Sequence, residues 1–109
     1  MKVTAIETIR SDEFPNILWV QVVTDEGLVG FGETFYGPAA AEGHIHGLIA
    51  PYLIGKDPRA IEKHQAHLTG YIGFAGASAE MRGRSAVDIA LWDILGQAAN
   101  MPLCDLLGG

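Results

Sequence analysis

The sequence predicts an α+β fold: a three-stranded antiparallel meander sheet followed by a layer of about three helices. Three observations predict it. Up to Thr34 the apolar segments are short, rich in β-branched and aromatic residues, and separated by turn residues. Beyond Gly37 the apolar spacing changes to i, i+3, i+4, i+7. The connections between the early segments are too short for the crossover that parallel strands need, so those strands must run antiparallel.

The first strand covers Val3 to Arg10, where Thr, Ile and Val dominate, and the second covers Ile17 to Val23. Between them Ser11 to Asn16 forms a turn, because Pro15 cannot donate to a ladder and Asn16 tolerates turn geometry. Asp25-Glu26-Gly27 closes the next hairpin, with Gly27 free to adopt a left-handed conformation, and Leu28 to Thr34 forms the third strand.

Pro38 suits a first helical position, and Ile45, Leu48, Ile49 and Tyr52 define one apolar stripe, with a bend expected at Pro51. A second, mostly polar helix should open at Asp57-Pro58, with Asp57 as cap, Pro58 at the first position, and Ile61 and Leu68 on its buried side. The glycine-punctuated segment from Gly70 to Ser78 reads as a loop carrying Tyr71 and Phe74. The third helix runs from about Glu80 to Ala99. Ala86, Val87, Ala90, Leu91, Ile94, Leu95 and Ala98 form its wide apolar face, and Asn100 and Pro102 stop it.

With 109 residues, one domain fits and two do not. Hydrophobic residues make up 49% of the chain, enough for a core. A domain of this size buries only about 60–68% of its unfolded surface, so such a composition also leaves apolar surface for another domain or partner. The tail from Pro102 to Gly109 carries three leucines where polar, frayed residues are usual. They either fold back on the domain or lead into a further one.

Seven Lys and Arg against 13 Asp and Glu give a net charge of −6 with no basic cluster, which excludes a phosphate-backbone binder. No apolar run approaches the length of a membrane span and no signal core is visible, so the expected location is the cytoplasm. Cys104 is the only cysteine; it excludes an internal disulfide and reads as a small buried residue near a domain edge.

Few residues look chemically self-sufficient. His44 and His46, two apart on a helix, point to different faces, and His64 and His67 share a face but lack a third ligand, which leaves a solvated face as their reading. Gly30 to Gly37 follows a strand and precedes a helix, as a phosphate cradle does, but its third glycine is misplaced and Glu33 would repel a phosphate. Trp92 is expected in a core or interface, with Asp93 satisfying a neighbouring donor.

Gly30-Phe31-Gly32-Glu33, the join Leu53-Ile54-Gly55-Lys56-Asp57-Pro58, the run from Ser85 to Gly96, and Pro102-Leu103 with Leu106-Leu107-Gly108-Gly109 share one order and spacing. Together they resemble the N-terminal capping domain of the mandelate racemase/muconate lactonizing enzyme group of the enolase superfamily, over the whole chain. The resemblance implies a capping domain at 1–109, with a lead-in from about 102 to a (β/α) barrel of the same chain. It also implies Mg2+ as cofactor, bound by that barrel, and removal of the proton α to a carboxylate. By the resemblance the metal ligands and bases would lie beyond Gly109, and the chain contains no Lys-x-Lys, so no catalytic, cofactor or metal residue is assigned and the 109 residues alone should be inactive.

What the resemblance gives this chain is a pair of substrate-facing loops, Asp12 to Asn16 and Thr34 to Gly37. Phe14, Glu33, Thr34, Phe35 and Tyr36 are the lid residues it implies, with Phe74 as an outlying candidate. Family members that wrap small hydrophobic substrates carry a longer first loop, so the short one here, stiffened by Pro15, implies by the resemblance a roomier, wetter mouth, which suits a polyhydroxylated acid and favours an acid-sugar dehydratase. A racemase, epimerase or cycloisomerase would share the intermediate. A stand-alone, non-enzymatic interaction module using its apolar tail is the remaining reading. A homo-oligomer is implied for the full-length enzyme, with no nucleic-acid or membrane partner.

Overall fold

The alternation along the middle strand sets the architecture. The computed structural model describes residues 1–69 and 76–109. Three strands, β1 (Val3–Ile9), β2 (Ile17–Thr24) and β3 (Val29–Phe35), form one antiparallel sheet in the order β1-β2-β3. Leu18, Val20, Val22 and Thr24 of β2 are buried, while the intervening residues are only half-buried on the opposite face. One face of the sheet is therefore core and the other is not. Gly27 closes the second hairpin with φ +82°, as expected.

The helical layer begins with α1 (Pro38–His44), which continues through a π-helical turn (Ile45–Ile49) into α2 (Ala50–Leu53). Next come α3 (Ile61–Leu68), the long α4 (Ala79–Ala98) and the short α5 (Leu103–Leu106). Ile45, Ile49 and Leu53 of the first run and Val87, Leu91 and Ile94 of α4 are fully buried against the core face of the sheet. Val3 and Ile6 of β1 complete that core.

Glycines decide how closely α4 approaches. A Cβ on Gly30 would run into the Ala90 carbonyl oxygen, and one on Gly32 into that of Ala86. The Gly30-Phe31-Gly32 step therefore serves helix-on-strand packing, with the backbone of α4 lying directly on β3. The same helix covers the free edge of β3: Asp93 Oδ2 accepts the Phe31 N–H at 2.8 Å, and Gln97 Nε2 donates to the Val29 carbonyl at 2.8 Å. Asp93 thus satisfies a neighbouring donor as expected, and Trp92 packs half-buried against the core.

Several expectations need correction. Leu48 is 56% exposed rather than on the apolar stripe, because the π-helical turn advances fewer degrees per residue and swings it outward while Ile45 and Ile49 stay inside. That turn ends just before Pro51, which has no N–H to give a regular ladder. The second helix starts at Ile61, not at Asp57-Pro58. There, Asp57 Oδ1 instead accepts the Arg59 N–H at 3.0 Å in a local turn, and Ala60, at φ −81° and ψ 53°, separates that turn from the helix. Ala98 is exposed at the end of α4. Cys104 is exposed rather than buried, on the solvent side of one-turn α5. The leucines of the tail divide: Leu103 and Leu106 are half-buried, whereas Leu107 is 62% exposed.

Candidate functional site

The end of β3 turns sharply. Tyr36 has φ +66° and Gly37 has φ +65°, two consecutive left-handed residues between the strand and α1. A tyrosine pays backbone strain for that conformation, so something must hold it there. Its amide donates to the Asn16 carbonyl at 2.7 Å, so the loop after β3 is tied to the last residue of the loop between β1 and β2. The two segments singled out in the sequence thereby form one continuous rim.

Two side-chain groups build that rim. On the sheet face away from the helices, Trp19 and Glu33 are register partners, and Trp19 Nε1 donates to Glu33 Oε2 at 3.0 Å. Phe14 meets the Trp19 ring edge-on, with centroids 6.2 Å apart. Toward α4, the Arg82 guanidinium lies 4.8 Å from the Phe35 ring centroid and 5.3 Å from that of Tyr36. Its Nη1 donates to the Phe35 carbonyl at 2.8 Å. Between Glu33-Thr34-Phe35 and the first turns of α4, at Ser78, Met81, Arg82 and Ser85, runs an open groove of about 430 Å³.

Of the expected lid residues, Phe14, Glu33, Thr34, Phe35 and Tyr36 therefore meet at one end of the sheet, while Phe74 lies outside the described residues. Phe14, Phe35 and Tyr36 are 50%, 59% and 64% exposed, an aromatic cluster presented to solvent. Such a rim can bury the face of a small molecule, and Glu33 and the hydroxyls of Thr34, Ser78 and Ser85 can bond its polar groups.

The histidines serve the fold. His64 is only 2% exposed, which overturns its reading as part of a solvated face. Its Nε2 donates to the Asp57 carbonyl at 2.7 Å, which fixes the tautomer, so Nδ1 accepts from the Tyr52 hydroxyl at 3.1 Å. His67 stacks on the same Tyr52 ring at 3.9 Å. The pair thus locks α3 to α2. Burial also lowers the pKa of His44, against the opposing pull of Glu80. Among the described residues no three His, Cys, Asp or Glu side chains converge as metal ligands, so these residues do not fit a Mg2+ site.

The sequence from residue 2 to residue 108 matches the family model for the mandelate racemase / muconate lactonizing enzyme, N-terminal domain. The chain belongs to that family. The crystal structure of an enolase of the mandelate racemase subgroup from Agrobacterium tumefaciens superposes with a TM-score of 0.95 at 53% identity, covering 100% of this chain and 30% of that one. Among curated relatives, a D-galactonate dehydratase from Verminephrobacter eiseniae is 37% identical over 117 residues, covering 100% of this chain and 28% of the relative. A D-mannonate dehydratase from Novosphingobium aromaticivorans is 37% identical over 111 residues, with the same coverage. The chain thus spans under a third of the length of these family members. No helix among the described residues is long and apolar enough to cross a membrane.

Two rim residues escaped the sequence reading. Trp19 was legible, since a hairpin closed at Asp25-Glu26-Gly27 places it opposite Glu33. Arg82 was not, because nothing in the spacing of α4 tells which of its two arginines, Arg82 or Arg84, faces the strand end.

Proposed function

We propose that this chain is the capping and specificity domain of a Mg2+-dependent acid-sugar dehydratase of the enolase superfamily, whose metal ligands and bases lie in a (β/α) barrel beyond residue 109. The tie between Asn16 and Tyr36 carries the reading. It makes the two loops one exposed aromatic rim, as a lid over a shared mouth requires. Similarity to a D-galactonate and a D-mannonate dehydratase supports an acid sugar as substrate.

In this role the residues described here do no proton chemistry. Phe14, Phe35 and Tyr36 form a wall that excludes water over the bound acid, which strengthens the charge interactions beneath. Glu33, held by Trp19, offers a carboxylate to substrate hydroxyls. The short first loop leaves space for a polyhydroxylated chain.

The test is incubation of the full-length enzyme with Mg2+ and a panel of acid sugars that includes galactonate and mannonate. Formation of 2-keto-3-deoxy acids is the expected outcome. Turnover seen only as exchange or inversion at the α carbon would replace the dehydratase reading with a racemase or epimerase one.

A further inference from the structure

We propose that Arg82 is the positioning residue of the lid, holding Phe35 and Tyr36 in the orientation that forms the substrate wall. This rests on the lid reading above.

Three observations converge on it. Arg82 reaches two adjacent lid residues at once, by a hydrogen bond from Nη1 to the Phe35 carbonyl and by placing its guanidinium carbon over the Phe35 and Tyr36 rings, 4.8 and 5.3 Å from their centroids. Those residues run from the strand end into a turn in which Tyr36 and Gly37 both have positive φ. Arg82 Nε is buried with no hydrogen-bond partner among the described residues, so the side chain is enclosed at the base of its guanidinium rather than free in solvent.

Chemistry explains why an arginine stands there. Its planar, delocalised cation can stack on an aromatic face and still aim an N–H at a carbonyl, which a lysine ammonium does less well. Arg82 sits in the first turns of α4, where its own amide bonds to the Ser78 carbonyl, and α4 is pressed onto β3 through Gly30 and Gly32. The lid is thus referenced to the longest helix among the described residues rather than to another loop. With the Tyr36 amide tied to Asn16, the rim has one anchor in each direction.

The experiment compares the full-length enzyme with its Arg82→Met and Arg82→Lys variants, by hydrogen exchange at the Tyr36 amide and by steady-state kinetics on the acid sugar it turns over. Arg82→Met is expected to speed exchange at Tyr36 by about tenfold while core amides of α4 are unchanged. It should also raise KM by about fivefold with kcat within about twofold, and Arg82→Lys should restore part of both. Unchanged exchange at Tyr36 in a folded variant would overturn the proposal; should Arg82→Met not fold, Arg82→Lys carries the same test. Faster exchange with unchanged KM would uphold Arg82 as the anchor and refute the lid role of the loop.

Discussion

The Tyr36 amide donates to the Asn16 carbonyl at 2.7 Å, joining two loops that are 20 residues apart in sequence but adjacent at one end of the sheet. The bond holds a tyrosine in a left-handed conformation at φ +66°. Strain at a solvent-exposed aromatic residue is uneconomical for stability alone, and it is at functional sites that such conformations collect.

Tyr36→Gly and Tyr36→Ala separate backbone from side chain. Both remove the ring, and both should raise KM for the proposed acid-sugar substrate in the full-length enzyme. Only alanine keeps a Cβ in the left-handed region, so the glycine variant should be the more stable by about 1 kcal/mol in denaturant unfolding. Equal stabilities would mean that the loop relaxes when the ring is lost.

Gly32 should not tolerate a methyl group. Its Cβ would meet the Ala86 carbonyl, a backbone atom that moves only if α4 moves. Gly32→Ala is expected to destabilise by about 3 kcal/mol, at the upper end of ordinary overpacking. Gly43→Ala serves as control, since nothing lies within 4 Å of a Cβ there. Similar unfolding midpoints for the two variants would refute direct contact of helix and strand.

Asp93 should guard an edge. Asp93→Ala leaves the Phe31 N–H unpaired on the outer strand, with an expected cost of about 1.5 kcal/mol and a greater tendency to self-associate through β3. Asp93→Asn retains an acceptor and should lose less. Sedimentation and unfolding measured on both variants check this.

His44 gives a pH dependence of defined sign. Burial lowers its pKa in the folded protein below the ordinary 6.5, so the unfolded chain binds the proton more readily. Its contribution is therefore fully present above pH 6.5 and is lost as pH falls through the folded-state value. His44→Gln should flatten that part of the stability profile on the acid side of pH 6.5. A variant profile parallel to that of the parent would show that His44 titrates alike in both states.

The strands were legible because residue alternation and turn chemistry act locally: β2 buries every second residue, and Gly27 takes the left-handed conformation its turn requires. Helix α4 was legible from its wide apolar face. Features that depend on contacts between elements were not. Leu48 leaves the core through a π-helical turn that spacing alone does not reveal, and His64 becomes buried only because Tyr52 and Asp57 supply partners for both ring nitrogens. In the site, family resemblance pointed to Phe14, Glu33, Phe35 and Tyr36. The residues that hold them, Asn16 by its carbonyl and Arg82 by its guanidinium, act through a backbone bond and a helix register that no motif encodes.

The most direct test is a crystal structure of the full-length enzyme with an unreactive acid-sugar analogue bound. The account predicts Phe35 and Tyr36 within about 4.5 Å of the analogue, with the Tyr36–Asn16 bond intact. An analogue bound in the barrel with this rim turned away to solvent would contradict it.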